Sequence, residues 1–334
     1  MSTLLVASTG GHLKQLYRLH KRLEGIEGPF HWATFDTPQS RSLLAEESVD
    51  FVRFVGGRDP LNMLSNAPAA NRILREHRIH TVVSTGSAVA LPFYAIARAR
   101  RLRCHYIESA ARSDGPSATA RMISRIPGVM LYAQYPAWAD ARWQYRGSVF
   151  DSFVPVVGGT ADAAPEIRKV VVTLGTFRDY QFTRLVRRLL EILPPEAEVL
   201  WQTGDTDVSE LGIEGHHAIP ERDLSQAMRE ADVVVAHAGV GTALAALEIG
   251  KLPVLVPRRL SHGEHVDDHQ IQITSELGRR GLALAVEADD LGLEHLVAAA
   301  RNRVATLPED PPFVTRDAAS RPEPSLAPAA LEHV

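Results

Sequence analysis

Short apolar runs alternate with segments of helical periodicity along most of the chain. In the first half, residues 4–7, 32–35 and 81–84 are apolar runs of strand length, and residues 13–23 and 88–99 repeat apolar positions at helical spacing. Strands that alternate with helices form parallel sheets covered by helices. The pattern therefore predicts an α/β fold.

The alternation begins again after a stretch of small residues, VGGTADAAP at 157–165. Glycine and proline there indicate a linker, which predicts one Rossmann-like domain over residues 1–158 and a second over residues 159–306. From about residue 307 the chain becomes rich in proline and alanine, and residues 307–334 are predicted to form a mobile tail. The predicted architecture is two parallel-sheet domains that face a central cleft.

The stretch ADVVVAHAGVGTALAALEIGKLPVLVP, residues 231–257, is a predicted strand, glycine turn, helix and strand. Gly239 and Gly241 allow a ligand to approach the backbone, and the amides at the start of the following helix favour a phosphate group. Thr242 is placed to cap this helix or to bind a phosphate oxygen. Glu248 ends the helix, where a carboxylate is suited to accept hydrogen bonds from sugar hydroxyls. The stretch predicts a nucleotide site.

Three strand ends of the first domain carry candidate acceptor-side residues. They are Gly10-Gly11-His12, Gly86-Ser87 and Glu108, which is followed by Arg112. Loops at the carboxyl ends of parallel strands bind ligands, so the three are expected to converge. His12 is a candidate general base near neutral pH, with helix capping or packing as the alternative. Glu108 competes for this role, with an ion pair to Arg112 as its alternative.

Charge is distributed unevenly over the chain. Residues 1–160 carry 19 basic and 12 acidic side chains, a net charge of +7, whereas the remainder carries 17 and 28, a net charge of −11. The basic half suggests an anionic partner, either phosphate groups or a membrane surface; an ordinary solvated face is equally compatible. No basic helix–turn–helix or aromatic platform accompanies the charge, so nucleic acid is not an expected partner.

Cysteine content and hydropathy indicate the compartment. The only cysteine is Cys104, which excludes an internal disulfide and fits a reducing environment. No apolar run reaches the roughly 20 residues that span a bilayer, and no signal peptide opens the sequence. We expect a cytoplasmic location. Peripheral attachment to the inner face of the cytoplasmic membrane is compatible with it.

Two other groups of residues are candidates for a metal site and for a dinucleotide site. His262, His265 and His269 lie among acids but lack the spacing of a known zinc signature. Gly239 and Gly241 begin a dinucleotide fingerprint that has no third glycine and no acid after the next strand. We therefore predict neither a metal nor any other cofactor.

The stretch HAGVGTALAALEIGKLPVLVPRRLSHGEHVDDHQIQITSELGRRG resembles the C-terminal domain of the MurG-like glycosyltransferases, as do VVVTLGTF and LWQTG upstream. The pieces STGGH, STGS, YIESAAR and AQYPAW of the first half resemble the acceptor subunit of the two-subunit N-acetylglucosaminyltransferase of asparagine-linked glycosylation, and bacterial exopolysaccharide transferases of that type. Together these pieces cover most of residues 3–290. The family's Gly-Lys-Pro is interrupted here by Leu252.

The resemblance implies a GT-B fold and an inverting, metal-independent transferase with a UDP-sugar donor. It implies that His12 or Glu108 takes the acceptor proton and that the acceptor lies near Gly10, Gly11, Gly86, Ser87 and Arg112. It places the nucleotide sugar at Gly175, Thr176, Gly204, His237, Ala238, Gly239, Gly241, Thr242, Glu248, His269 and Gln270.

We expect a lipid-linked or polysaccharide-precursor acceptor. A soluble transferase acting on a small molecule, a UDP-sugar epimerase of the same architecture and a non-catalytic nucleotide-sugar-binding partner are the alternatives. For membrane contact, the candidate surface is residues 88–103, where Phe93, Tyr94 and Ile96 precede four arginines. An ordinary helix packed on the sheet is the alternative there.

Overall fold

The structure is a computed structural model that describes residues 2–55, 64–156, 165–175 and 180–319. The predicted domain boundary at residues 158 and 159 and the candidate residue Thr176 lie outside these ranges.

The first half is built on a seven-stranded sheet whose paired strands all run parallel, in the order β4-β3-β1-β5-β6-β7-β8. Alternating apolar runs form these strands because both faces of the sheet are covered by helices. The strands are β1 (Ser2–Ala7), β3 (Phe30–Phe35), β4 (Val49–Val52), β5 (Ile79–Gly86), β6 (Arg103–Ile107), β7 (Val129–Ala133) and β8 (Trp143–Tyr145). The helices are α1 (Gly11–Leu19), α2 (Pro38–Leu43), α3 (Ala67–Glu76), α4 (Ala90–Ala99) and α5 (Ala118–Ile123).

The second half repeats this plan with a six-stranded parallel sheet in the order β12-β11-β10-β13-β14-β15. Its valine-rich strands are buried between helices on both faces. The strands are β10 (Lys169–Thr173), β11 (Glu198–Gln202), β12 (Gly215–His216), β13 (Val233–His237), β14 (Val254–Val256) and β15 (Leu284–Ala285). The helices are α6 (Thr183–Ile192), α7 (Glu221–Glu230), α8 (Val240–Glu248), α9 (His269–Arg279) and α10 (Leu293–Arg301).

The segment that leaves the first half lies beside the segment that returns to it. Strand β9 (Phe153–Val156) leads out, β16 (Arg303–Thr306) leads back, and the two pair antiparallel. Beyond β16, strand β17 (Phe313–Val314) pairs with β2 (Leu23–Glu24) of the first half and is followed by helix α11 (Arg316–Ala319).

The prediction of a mobile tail is therefore wrong for residues 307–319. Phe313 is fully buried, with its ring centroid 5.5 Å from that of Tyr132. Backbone pairing satisfies the polar groups of this segment while Phe313 completes the core beneath β7. The proline-rich composition concealed this one apolar anchor; residues 320–334 lie beyond the described part of the chain.

The two halves face each other through the carboxyl ends of their sheets. Helix α1 of the first half packs along α8 of the second, and Leu13 and Leu16 share an apolar cluster with Leu244 and Leu247. The predicted α/β fold with two Rossmann-like parallel-sheet domains is confirmed. The facing strand ends bring the candidate residues of both halves to one place.

Candidate active site

Two glycine turns meet at the boundary between the halves. Gly11 begins α1, and Gly239 is the residue before α8. A Cβ atom at Gly11 would lie 3.2 Å from the backbone nitrogen of Gly241, which is tighter than most side chains accept, so glycine favours the close approach of the two turns. Gly10 has a φ of 80°, which also favours glycine. The first-turn amides of both helices, with their partial positive charge, are thus brought together.

His12 is held in one orientation by Thr85 at the end of β5. The Nδ1 atom of His12 lies 2.7 Å from the carbonyl oxygen of Thr85, and the Thr85 hydroxyl donates to the His12 carbonyl oxygen at 2.8 Å. Since a carbonyl oxygen only accepts, Nδ1 carries the proton and Nε2 keeps a lone pair. Burial lowers the pKa of His12, partly opposed by the bond to Thr85. The imidazole is therefore neutral near pH 7, with a basic nitrogen available.

Gly86, the last residue of β5, lies beside this imidazole, and Ser87 follows it. Gly86 has a φ of 101°, and a Cβ atom there would lie 3.0 Å from Cε1 of His12. Ser87 is partly exposed, and its carbonyl oxygen accepts from the Ala90 amide at the start of α4. The structure thus brings Gly86 and His12 together as predicted, and Gly86 makes room for the ring.

Glu108 is buried, and both of its carboxylate oxygens accept hydrogen bonds from nearby backbone amides. One carboxylate oxygen accepts from the Ser109 amide at 2.8 Å and the other from the Ser117 amide at 2.7 Å. Its exposed fraction is 1%, and burial raises its pKa. The carboxylate orders the loop after β6. This geometry argues against Glu108 as the catalytic base, because a base needs an oxygen that reaches the acceptor.

Sequence reasoning missed the glutamines that hold this loop. Gln15 of α1 donates to the Ser109 hydroxyl at 3.2 Å and accepts from the Ala110 amide at 2.8 Å. Gln134 donates to Gln15 at 3.1 Å and accepts from the Val149 amide at 2.8 Å. A glutamine in an amphipathic helix ordinarily faces water, so the sequence carried no signal of this buried network.

Arg112 joins the first half to the second. Its Nη2 atom lies 2.9 Å from Oδ2 of Asp267, and Oδ1 of Asp267 accepts from Nδ1 of His269. The bond from His269 lowers the pKa of Asp267, with Arg112 adding to it against the opposing effect of burial. Arg112 and His269 are therefore brought together, through an aspartate that sequence reasoning had treated only as a neighbouring charge.

His237 at the end of β13 lies against the second glycine turn. Its Nδ1 atom donates to the Thr173 carbonyl oxygen at 3.2 Å. A Cβ atom at Gly175, where φ is 83°, would lie 2.6 Å from the ring, and one at Gly239 would lie closer still. Burial lowers the pKa of His237 to about 3, so the ring is neutral. The predicted residues Gly175, His237 and Gly239 thus form one contiguous surface.

The remaining donor-side candidates differ in what they offer a ligand. Thr242 is the third residue of α8 and partly exposed, whereas the Ala238 side chain is buried in the core. Gly204, with a φ of 58°, is the second residue after β11, at the same edge of the sheet. Gln270 is buried, and its Oε1 accepts from the Arg258 amide at 2.9 Å. Gln270 was expected to contact the donor sugar, and this internal bond engages its side-chain oxygen.

Glu248 lies away from the glycine turn. It ends the nine-residue helix α8, about 12 Å from the helix start. Its carboxylate pairs with Lys14 at 3.3 Å and Arg18 at 3.6 Å, both in α1, and Lys14 also pairs with Glu221 at 3.0 Å. Burial lowers the pKa of Lys14, but the two glutamates outweigh it and raise it. Glu248 therefore joins the halves, which argues against the predicted contact with a ribose.

Two groups within the described residues could hold a metal ion by their spacing. His31, Asp50 and His77 form one, in which Nε2 of His31 and Nε2 of His77 lie 2.9 Å and 3.0 Å from the same oxygen of Asp50, Oδ2. The other oxygen of Asp50 accepts from Arg72 at 2.9 Å. His265, Asp267 and His269 form the other, without His262. Burial lowers the pKa of His265 to about 4, and Asp267 is already bonded to Arg112.

The apolar side chains of the candidate membrane-contact surface, residues 88–103, pack within the first half. Phe93 and Tyr94 are fully buried in the core of the first half, and Arg98 donates to the carbonyl oxygens of Pro127 and Leu102. The apolar residues of α4 therefore pack on the sheet, which was the alternative interpretation. Across the ranges that the structure describes, no helix combines the length and apolar character that crossing a membrane requires.

The sequence of the chain is similar to a known domain and to known proteins. Residues 154–308 match the glycosyltransferase family 28 C-terminal domain. The chain is 25% identical over 308 residues, 85% of its length and 83% of the relative, to the UDP-N-acetylglucosamine--N-acetylmuramyl-(pentapeptide) pyrophosphoryl-undecaprenol N-acetylglucosamine transferase of Shewanella amazonensis. It is 42% identical over 71 residues, 21% of its length and 34% of the relative, to the UDP-N-acetylglucosamine transferase subunit ALG13 of Yarrowia lipolytica.

A solved structure shows the same fold over nearly the whole chain. The crystal structure of Acinetobacter baumannii MurG superposes with a TM-score of 0.55 at 19% identity, covering 89% of each chain. The second half, with its glycine turn, carries the family 28 domain, and both halves together have the architecture of MurG. The chain therefore has the GT-B fold and is a glycosyltransferase whose sequence is similar to that of the MurG enzymes.

Proposed function

We propose that the enzyme transfers N-acetylglucosamine from UDP-N-acetylglucosamine to a lipid-linked acceptor, with inversion at the anomeric carbon and without a bound metal. The names of the relatives supply the donor and the kind of acceptor. The observation that carries the mechanism is the orientation of His12, whose proton-bearing Nδ1 is fixed by Thr85 at the boundary with the second half.

The donor diphosphate binds where the two glycine turns meet. Amides of the first turn of α8, with Thr242 in that turn, face this position, and the start of α1 adjoins it across Gly11 and Gly241. Neutral His237, packed against Gly175 and Gly239, shapes the turn without adding charge. Helix starts of this kind bind phosphate through free N–H groups and a partial positive charge.

His12 acts as the general base. The acceptor hydroxyl loses its proton to Nε2 of His12 as its oxygen forms a bond to the anomeric carbon. The bond between that carbon and the diphosphate oxygen breaks, and UDP leaves with the electron pair. A single displacement of this kind inverts the anomeric configuration. The lowered pKa of His12 keeps the imidazole unprotonated at neutral pH, as a base requires.

The departing diphosphate requires stabilisation of its negative charge. In this proposal the two helix starts supply it, because preorganised amides stabilise charge that develops in the transition state. A lipid-linked acceptor places the enzyme at the inner face of the cytoplasmic membrane, and the net positive charge of residues 1–160 suits that surface.

The test is release of UDP from UDP-N-acetylglucosamine in excess EDTA, with and without a bacterial lipid extract. We expect release that depends on the extract, and a lipid product whose new linkage has the inverted configuration by NMR. Release only with added divalent metal would contradict metal independence. Conversion of the nucleotide sugar without any acceptor would indicate an epimerase, and release with water-soluble acceptors alone would indicate a soluble transferase.

A further inference from the structure

We infer that Asp267 is a positioning residue for His269, and that Arg112 makes this positioning depend on the approach of the two halves. The inference rests on the proposed function, because it assigns the bridge to the donor-sugar side of that site. It concerns a carboxylate that binds one partner from each half of the molecule.

The two oxygens of Asp267 have different partners. Oδ1 accepts from Nδ1 of His269 and lies 3.6 Å from Nδ1 of His265, and Oδ2 accepts from Arg112 at 2.9 Å. A carboxylate that accepts from Nδ1 fixes the tautomer of the imidazole, leaving Nε2 of His269 as an acceptor nitrogen. The backbone amide of His269 also donates to Oδ1, at 3.3 Å, which fixes the ring relative to the start of α9.

Arg112 is itself held in place on the first half. Its carbonyl oxygen accepts from the Trp138 indole at 3.1 Å, and its amide donates to the Ser109 carbonyl oxygen at 2.9 Å. A second interdomain bond lies beside the ion pair, from the Ser113 amide to Oε1 of Gln272 at 3.2 Å. The loop after β6 therefore meets the start of α9 as a defined contact.

The bridge joins the two sides of the proposed reaction. Arg112 belongs to the same half as His12, and Asp267 joins Arg112 to His269 of the other half. When the halves separate, Asp267 loses its bond to Arg112. Asp267 still pairs with His269, but its carboxylate is then free to turn toward water. Approach of the halves thus completes the arrangement of His269 opposite His12, so that the donor sugar is oriented only when the acceptor side is in place.

The first measurement is ¹⁵N NMR of the full chain labelled in histidine, at pH 7 in EDTA, with the His269 signals assigned by His269→Gln. In the wild type we expect the proton on Nδ1. Asp267→Ala should remove this preference. Arg112→Gln, a change on the other half, should shift the same signals, and Arg112→Lys should restore most of the shift because it keeps the charge. Asp268→Asn, which alters the adjacent exposed carboxylate, is the matched control and should leave them unchanged.

The second measurement compares the affinities of the same proteins for UDP-N-acetylglucosamine and for UDP by calorimetry. We expect Arg112→Gln and Asp267→Ala each to weaken UDP-N-acetylglucosamine binding by about fivefold, the lower range of coupling between sites, with UDP binding unchanged. The double variant should be no weaker than the weaker single variant, because both changes break the same bridge.

Two results would overturn the inference. One is an Arg112→Gln protein whose His269 signals match the wild type. The other is an equal loss of affinity for both ligands, which would indicate a general structural role. If the wild type binds neither ligand, the proposed function fails, whereas the NMR comparison still decides whether the bridge positions His269.

Discussion

The glycine turns of the two halves start their helices alike but present different chemistry. In the first half, the turn before α1 leads directly to His12, whose proton position is fixed by Thr85. In the second half, the turn before α8 exposes backbone amides, and its histidine, His237, is neutral and packed against glycine. In the proposed mechanism one turn carries the base, and the other carries a surface suited to an anion.

This difference shows how one supersecondary unit serves two roles in the same enzyme. A parallel strand followed by a helix always supplies free amides at the sheet edge. What distinguishes the halves is the side chain placed next to those amides and the partner that orients it. The predictions below separate the two roles by changing one turn or its supporting half at a time.

The largest effect is expected for His12→Asn. Removing the base should lower UDP release in the presence of acceptor by about a thousandfold, within the range for general-base catalysis, with unchanged affinity for UDP. His80→Asn, which changes an exposed histidine of β5, is the control. If His12→Asn keeps the turnover of the wild type, another residue must act as the base.

Phe313→Ala should have the next largest effect, on stability. The fully buried ring anchors the C-terminal segment to the first half, and its loss should lower the free energy of unfolding by about 3 kcal/mol in urea titrations. Val314→Ala, at the partly exposed neighbouring position, should cost less. UDP affinity, a property of the second half, should stay constant. An unaffected midpoint in Phe313→Ala would mean that the segment is not needed for the fold.

The pH dependence of stability should reveal the neutral histidine of the second turn. The pKa of His237 is about 3 in the folded state, below the value of about 6.5 for an unfolded chain. The unfolded state therefore binds the extra proton, and stability is lost as pH falls from 6.5 toward 3. His237→Asn should reduce the loss between pH 7 and 5.5 by on the order of 1 kcal/mol. Identical slopes for variant and wild type would contradict the neutral ring.

The smallest effect is expected for Glu248→Gln. Because this carboxylate pairs with Lys14 and Arg18 and is partly exposed, its loss should cost about 0.5 kcal/mol of stability and change UDP affinity less than about twofold. Glu230→Gln, on the exposed surface of α7, is the control. A tenfold loss of UDP affinity would instead support the predicted contact between Glu248 and the ribose.

Prediction from the sequence succeeded where local pattern and tertiary structure agree. The strands and helix of residues 231–257 and the helix over residues 88–99 were predicted from periodicity and glycine signals because each is a complete apolar or amphipathic unit. The convergence of Gly86 and His12 followed from a rule about parallel sheets. Such features depend on residues close together in the chain.

The sequence was least informative where a distant partner decides the surroundings of a residue. Glu108 bonds an amide nine positions away in the chain, Glu248 pairs with residues more than 200 positions away, and Phe313 fills a gap beneath β7. Phe93 and Tyr94 have the same periodicity whether they face a sheet or a membrane. Periodicity identifies an apolar face but does not identify what covers it.

The central claim is that the second turn binds the nucleotide while the first supplies the base. It is tested most directly by calorimetric titration of UDP, in excess EDTA, into the wild type, His12→Asn and Gly241→Ala, with His80→Asn, at an exposed position of β5, as a control. We expect equal affinity in the wild type, His12→Asn and His80→Asn. Affinity should be about tenfold weaker in Gly241→Ala, where the methyl group crowds the backbone of Gly11. Loss of UDP binding in His12→Asn, or full binding in Gly241→Ala, would contradict the account.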